Sequence, residues 1–455
     1  MTDIKKQTDL IIDGGTIITM DPARKILEHS SIVVQDQRII AVDDRDSIHM
    51  VYYADKVINA GDRVIIPGLI NTHTHLFQTF LRGIGQDLPA IEWLHQAIDP
   101  VVNHLTPEDS HLSALLGCVE GIKSGTTCLV EYNYANPHKE CSDATIRAFS
   151  DAGLRGIFAR GILDMGDLHP EIIQKTETEY AECERLIQKY HQKNGDMLLV
   201  WIAPYTIMSA SPLAFRLSRE LADQYHTGLS VHSSTPNTIE ASIKQYGKGD
   251  VKWEDEIGFL GPDVLLVHCC GILSEEDLKI MLKNNVKISH NPISNCYLGE
   301  GIAQVRDMVA YGIKVSLASD GPCSNNRQDM FEVMKVASLL QKVKYLDPTC
   351  MTANKVLEMA TIEGAECLGL DTKIGSIEPG KLADIAILDL CKPNVVYCQD
   401  PVSAIVYSAT AESVETVIIN GKIVMEARRL LMMDEKEILH RSQKASEDLL
   451  VRAGV

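Results

Sequence analysis

No stretch of 18 or more uncharged apolar residues occurs in the 455-residue chain, so nothing in it is long and apolar enough to cross a bilayer as a helix. No Cys-x-x-Cys pair occurs either. The 12 cysteines are scattered singly apart from Cys269-Cys270, which argues against a zinc knuckle or a small disulfide framework and points to reduced thiols. Basic residues are in deficit: lysine and arginine number 43 against 62 aspartates and glutamates. The resulting net charge of −19 speaks against nucleic acid and anionic membranes as partners, because both would repel such a surface. Internal repeats and low-complexity tracts are lacking. The polar start Met1 to Asp9 runs straight into Leu10-Ile11-Ile12 without a signal-peptide pattern, so a cytoplasmic protein is expected.

What is present is the composition of an ordinary folded protein, 45% apolar and 23% charged, on a chain long enough for three domains or one large α/β barrel with additions. Residues 1–67 read as short strands with turn signals: Leu10-Ile11-Ile12, then Asp13-Gly14-Gly15, Thr16 to Met20, and Ser31 to Val42. The carboxyl end, 371–455, repeats this texture at Ala383 to Asp389 and Val414 to Met425, then closes on a surface helix from Glu435. Neither end is large enough for a sandwich alone, so the two are expected to pack together as one small β-sandwich with the middle of the chain inserted between them. Residues 68–370 alternate short apolar strands with longer helical patterns, and the strands number eight, counting the one before His73. Eight such repeats over some 300 residues predict a (β/α)8 barrel, in the α/β class.

Polar residues fall at the carboxyl ends of these strands. Val64 to His75 is an apolar run ending in His73-Thr74-His75, and in extended backbone residues i and i+2 point to the same side. His232 follows Leu229-Ser230-Val231, His268 follows Leu265-Leu266-Val267, and Asp320 follows Leu317-Ala318-Ser319. In a parallel barrel these ends share one rim, where the active sites of such barrels lie. One histidine at a strand end is usually a satisfied core residue; four in phase with an aspartate point to a metal site.

Pro67-Gly68-Leu69-Ile70-Asn71-Thr72-His73-Thr74-His75, Leu81-Arg82-Gly83, Val231-His232, Val267-His268-Cys269, Ser294 to Gly299, Ser319-Asp320 and Gly375 to Asp384 together resemble the amidohydrolase superfamily. The branch is the one that holds atrazine chlorohydrolase, melamine deaminase, S-adenosylhomocysteine deaminase and guanine deaminase. The resemblance implies one divalent metal ion, zinc or iron, ligated by His73, His75, His232 and Asp320, with His268 at the edge of that set beside the attacking water. It also implies hydrolytic displacement at a ring carbon of a nitrogen heterocycle of triazine, pyrimidine or purine type, by a homo-oligomer of two or more chains. A bound divalent metal serves such chemistry by lowering the pKa of water from 15.7 to about 7. Asp320 can accept the water's proton, and His268 can stabilise the developing tetrahedral centre. Gln78, Arg82 and Trp93, on the segment after the first strand, and Asn291 and Asn295, after the seventh, are candidate substrate contacts.

One position departs from the family pattern. Deaminases of this branch carry a proton-shuttling glutamate three residues after the third histidine; in His232-Ser233-Ser234-Thr235 that position is Thr235, which cannot shuttle a proton at pH 7. Three accounts stay open at this stage. Another group, among Glu240, His290, Glu131 and Asp320, replaces the shuttle. Alternatively the leaving group needs less protonation than ammonia, as in a dechlorinase or thio-group hydrolase, or the chain is a catalytically silent binding homologue. Deamination is the expected activity.

Overall fold

The computed structural model describes residues 5–166, 168–396 and 398–455. Eight parallel strands form a nearly closed barrel in chain order: Leu69–Thr74, Thr126–Asn133, Arg155–Ile162, Leu198–Pro204, Leu229–Ser233, Val264–His268, Lys287–His290 and Lys314–Leu317. The second and third strands are buried along their whole length, as expected where helices cover the outside and side chains fill the inside. The first and eighth strands meet through side chains and the chain just past the eighth. The Asn71 amide donates to Ser319 Oγ at 2.7 Å and accepts from Ser319 N at 3.0 Å, and Asp320 N donates to the His73 carbonyl at 3.1 Å. Inside the barrel, Thr72 Oγ1 lies 2.8 Å from Ser289 Oγ and 2.9 Å from Ser316 Oγ, a hydroxyl layer that ties strands one, seven and eight together.

Both chain ends contribute to one nine-stranded mixed sheet. The join is Val64–Pro67, which runs parallel to Lys6–Ile18 and antiparallel to Ile385–Leu388, pairing Ile65 with Ile387. One residue later the chain enters the barrel at Leu69, so the apolar run before His73 is two strands in two sheets. The turn expected at Asp13-Gly14-Gly15 is not a hairpin: Lys6–Ile18 is one 13-residue strand whose register shifts beside Gly15. A β-bulge uses the same glycine chemistry as a turn. Gly14 has φ +83°, and a Cβ on Gly15 would stand 2.6 Å from Ile65 Cδ1.

The helix Pro107–Lys123 starts at a capping box in which Thr106 and Asp109 exchange side-chain and backbone hydrogen bonds. The last helix, Glu435–Ala453, packs along it, with Arg452 paired to Asp109. The apolar stretch before that helix is divided: Leu430 and Met433 pack on the core, while Leu431 and Met432 stay about half exposed. Among the described residues, no helix is long and apolar enough to cross a membrane.

Candidate metal centre and substrate pocket

The carboxyl ends of strands one, five and six and the turn after strand eight bring His73, His75, His232, His268 and Asp320 together. Nε2 of His73 and of His75 lie 3.4 and 3.5 Å from Asp320 Oδ1, and His268 Nε2 is 4.0 Å from Oδ2. The ligand atoms of His73, His75 and His232 lie within 4.8 Å of one another, as do those of His73, His268 and Asp320. Two atoms that each sit about 2.0 to 2.1 Å from a tetrahedral zinc ion are roughly 3.4 Å apart, so this spacing suits one ion.

Hydrogen bonding supports the same reading. His75 Nδ1 donates to the Tyr132 carbonyl at 2.7 Å and His232 Nδ1 to the Tyr205 carbonyl at 3.0 Å, which leaves each Nε2 with a free lone pair. His73 is fully buried, and neither of its ring nitrogens has a hydrogen-bond partner among the described residues. An unpaired buried imidazole is costly, and an ion within the cluster would satisfy it.

Electrostatics keep the donors in ligating form. Burial pushes the pKa of His75 down to about 3, with His73 beside it adding to the effect. Burial and the neighbouring imidazoles hold His232 well below the usual histidine range. Burial also lowers His73, against a partial opposing pull from Asp320. For Asp320 burial acts upward, but the surrounding imidazoles outweigh it and hold the carboxyl well below the usual range, so it is ionised. Three neutral imidazoles and one carboxylate are a donor set that zinc accepts. Asp320 is further fixed by the Ser294 hydroxyl, which donates to Oδ2, and by Gly321 N, which donates to Oδ1 at 2.6 Å. Its φ of +63° and the φ of +75° at His268 are left-handed, a strain that structures store at functional sites.

A pocket opens beside the cluster. Gln78, Trp93 and Thr235 line it with His75, His232, His268 and Asp320. Gln78 is anchored within the wall, its Nε2 donating to the Tyr134 hydroxyl at 3.2 Å and its Oε1 accepting from Cys323 N at 3.3 Å. Three other sequence candidates lie elsewhere. Arg82 is outside the pocket, its guanidinium held by Glu120. Asn291 and Asn295 are buried behind His268: Asn295 Oδ1 lies 2.9 Å from His268 Nδ1 and Asn291 Nδ2 lies 3.2 Å from it, so they orient that ring and do not face the pocket.

Thr235 caps the helix Pro236–Tyr246. Its Oγ1 accepts from Thr238 N at 3.3 Å and its own N donates to Thr238 Oγ1 at 3.0 Å. Threonine suits a helix cap. Behind this corner, buried Asp250 accepts from Ser234 N at 2.7 Å and from Thr238 Oγ1 at 2.6 Å.

Among the lining residues that sequence reasoning missed are Tyr134, Tyr205 and Glu300. The tyrosine rings lie 4.6 Å apart at 31°, and Tyr134 stands edge-on to His75 at 4.8 Å. A signal existed for them, since each follows a barrel strand by one residue on the catalytic rim. Glu300 had none, because the motif Ser294 to Gly299 ends one residue before it.

Of the shuttle candidates read from the sequence, Glu240 faces solvent and His290 is buried outside the pocket lining with its pKa pushed by burial down to about 3. Glu131 is fully buried, accepting from Leu76 N at 2.6 Å and from Asn133 Nδ2 at 3.1 Å. Those bonds favour its charge, but burial wins and raises its pKa from 4.5 to about 8. Between those values the folded chain holds a proton that the unfolded chain has released, so this group's contribution to stability falls as pH rises and levels off above about 8. Glu131→Gln removes that contribution to the pH dependence. The melting midpoint of the variant is expected to fall less between pH 5 and pH 8 than that of the wild type.

The Amidohydrolase family profile matches residues 64–424. The 5'-deoxyadenosine deaminase of Methanosarcina mazei is 37% identical over 447 residues, covering 98% of this chain and 99% of that one. The 5-methylthioadenosine/S-adenosylhomocysteine deaminase of Acetivibrio thermocellus is 35% identical over 431 residues, covering 94% and 97%. Among solved structures, an adenosine deaminase from Xanthomonas campestris with bound zinc superimposes with a TM-score of 0.93 at 26% identity, covering 98% of this chain and 100% of that one. With the strand-end cluster in place and a match over most of its length, the chain belongs to the amidohydrolase family.

Proposed function

We propose that the protein is a zinc-dependent aminohydrolase that replaces the exocyclic amino group of a neutral, adenine-type nucleoside by oxygen. The observation that carries this reading is the cluster of His73, His75, His232 and Asp320 opening onto an aromatic pocket whose lining, among the described residues, includes no lysine or arginine. The similarity to deaminases of adenine nucleosides supports the ring class, and the zinc in the Xanthomonas structure supports the metal.

His73, His75, His232 and Asp320 would hold the ion, which when bound supplies water acidified toward neutral pH. The remaining work belongs to the chain's own groups. Asp320 accepts the proton that the attacking water gives up. His268, oriented by Asn295, stabilises the charge that develops at the tetrahedral carbon. Tyr134 and Tyr205 offer aromatic surface to the planar ring, and Trp93 adds a third aromatic side chain to the pocket wall. Among the described residues of the lining, Asp320 and Glu300 are the acidic side chains and no lysine or arginine offsets them, so they disfavour an anionic substrate.

The test is a mass-spectrometric and ammonia-release assay of the zinc-loaded protein on adenosine, 5'-deoxyadenosine, methylthioadenosine, adenosine monophosphate, and amino-, chloro- and methylthio-triazines. Ammonia release from the neutral nucleosides is expected, with the monophosphate slower by about 100-fold, since an unmatched like charge costs several kcal/mol. Exchange of chloride or thiolate alone, or no exchange at all, would contradict the reading.

A further inference from the structure

We propose that Glu300 is the proton carrier of the reaction, doing from the loop after the seventh strand what the fifth-strand corner cannot do through Thr235. The inference rests on the deaminase reading above. Loss of an amino group as ammonia requires protons at two sites, the ring nitrogen beside the reacting carbon and the departing nitrogen, and the Thr235 hydroxyl is committed to the helix cap. Glu300 lines the same pocket as Thr235, His268 and Asp320, and its carboxyl makes no hydrogen bond or ion pair with another side chain among the described residues. Asp320 and Glu300 are the two carboxyl groups of that lining, and Asp320 is engaged by Ser294, Gly321 and the imidazoles.

The backbone holds Glu300 in place. It lies between two left-handed glycines, Gly299 at φ +67° and Gly301 at φ +111°, and a Cβ on Gly301 would stand 3.0 Å from the Cys270 carbonyl of the sixth-strand loop. Glu300 N donates to the Asn295 carbonyl at 2.9 Å, so the same short helix that orients His268 also positions Glu300. Burial raises the carboxyl above the usual range, His268 pulls it down and Asp320 pushes it up.

The Glu300 carboxylic acid gives its proton to the ring nitrogen while the water oxygen bonds to the ring carbon and one water proton passes to Asp320. Asp320 then delivers that proton to the amino nitrogen, the carbon–nitrogen bond breaks and ammonia leaves. The hydroxyl proton returns to Glu300 as the carbonyl forms. One water is consumed, and both carboxyl groups end as they began.

The test compares the zinc-loaded wild type with Glu300→Gln for kcat and KM on 5'-deoxyadenosine and for metal content. It also compares their affinity for a purine-ring analogue with a tetrahedral hydroxyl-bearing carbon and a protonated ring nitrogen. The expected result is a fall in kcat of about 100-fold or more, with KM within about threefold, one metal ion retained, and analogue binding weakened at least about 30-fold. A variant whose kcat stays within about fivefold of wild type, or one that loses its metal or its fold, would overturn the proposal. If the wild type deaminates no nucleoside, it is the deaminase reading that fails. The analogue then decides on Glu300 by itself, since equal binding to both proteins would overturn its role.

Discussion

Asp320→Asn is expected to lower ammonia release by about 10⁴-fold while the chain stays folded. The size follows from how many duties meet on one side chain. Its Oδ1 faces His73 and His75 at 3.4 and 3.5 Å, and His268 stands 4.0 Å from Oδ2. An amide keeps the shape but loses the charge, and with it the metal affinity and the proton acceptance proposed for this side chain. The loss is therefore expected in kcat and in bound zinc together. The circular dichroism spectrum should not change, because the turn at Asp320 is held by backbone bonds, Asp320 N to the His73 carbonyl among them. An Asp320→Asn protein with full zinc content and turnover within tenfold of wild type would remove Asp320 from the site.

A second large effect lies at the opposite end of the barrel. Arg155, the first residue of the third strand, donates from Nε and Nη2 to Asp384 at 2.9 and 3.0 Å and from Nη1 to the Asp196 carbonyl at 2.7 Å. Asp384 precedes the strand Ile385–Leu388 and also accepts from Asn420 N at 2.8 Å, so the pair rivets the barrel to the sheet built from both chain ends. Both side chains are almost wholly buried. Removing one partner strands the other as a buried charge, and Asp384→Ala is expected to cost about 3 to 5 kcal/mol, measured as a shift of the urea unfolding midpoint. Replacing both, as Arg155→Met with Asp384→Leu, should recover much of that loss. If the single variant unfolds within about 1 kcal/mol of wild type, the pair does not hold the two parts together.

Periodicity and strand ends made the barrel and the metal cluster legible from sequence, because both follow from local rules. Strands carry side chains with a period of two, and a parallel barrel gathers the carboxyl ends on one rim. His73, His75, His232, His268 and Asp320 each sit at such an end. The candidate substrate contacts follow no such rule. Arg82 lies four residues past Gln78 of the pocket wall, yet its guanidinium is held by Glu120 on the helix Pro107–Lys123. Asn291 and Asn295 are close to the chemistry, but a helical turn carries them behind His268. The bulge at Gly15 reads as a turn in the sequence because turns and bulges use the same glycines, and only pairing with Val64–Pro67 and Ile26–Gln35 distinguishes them. Glu300 sits on a loop where Gly301 passes so close to the Cys270 carbonyl that a Cβ there would stand 3.0 Å from it, a tertiary fact with no local pattern.

The measurement closest to the centre of the account is a metal titration of chelator-stripped protein, following bound zinc by elemental analysis and ammonia release from 5'-deoxyadenosine in the same samples. The expected result is one zinc ion per chain, activity rising in proportion to occupancy, and no high-affinity zinc in a protein carrying His73→Ala. Full activity in the stripped protein, or unchanged zinc binding in the His73 variant, would contradict the assignment of these strand-end residues as the metal centre of a deaminase.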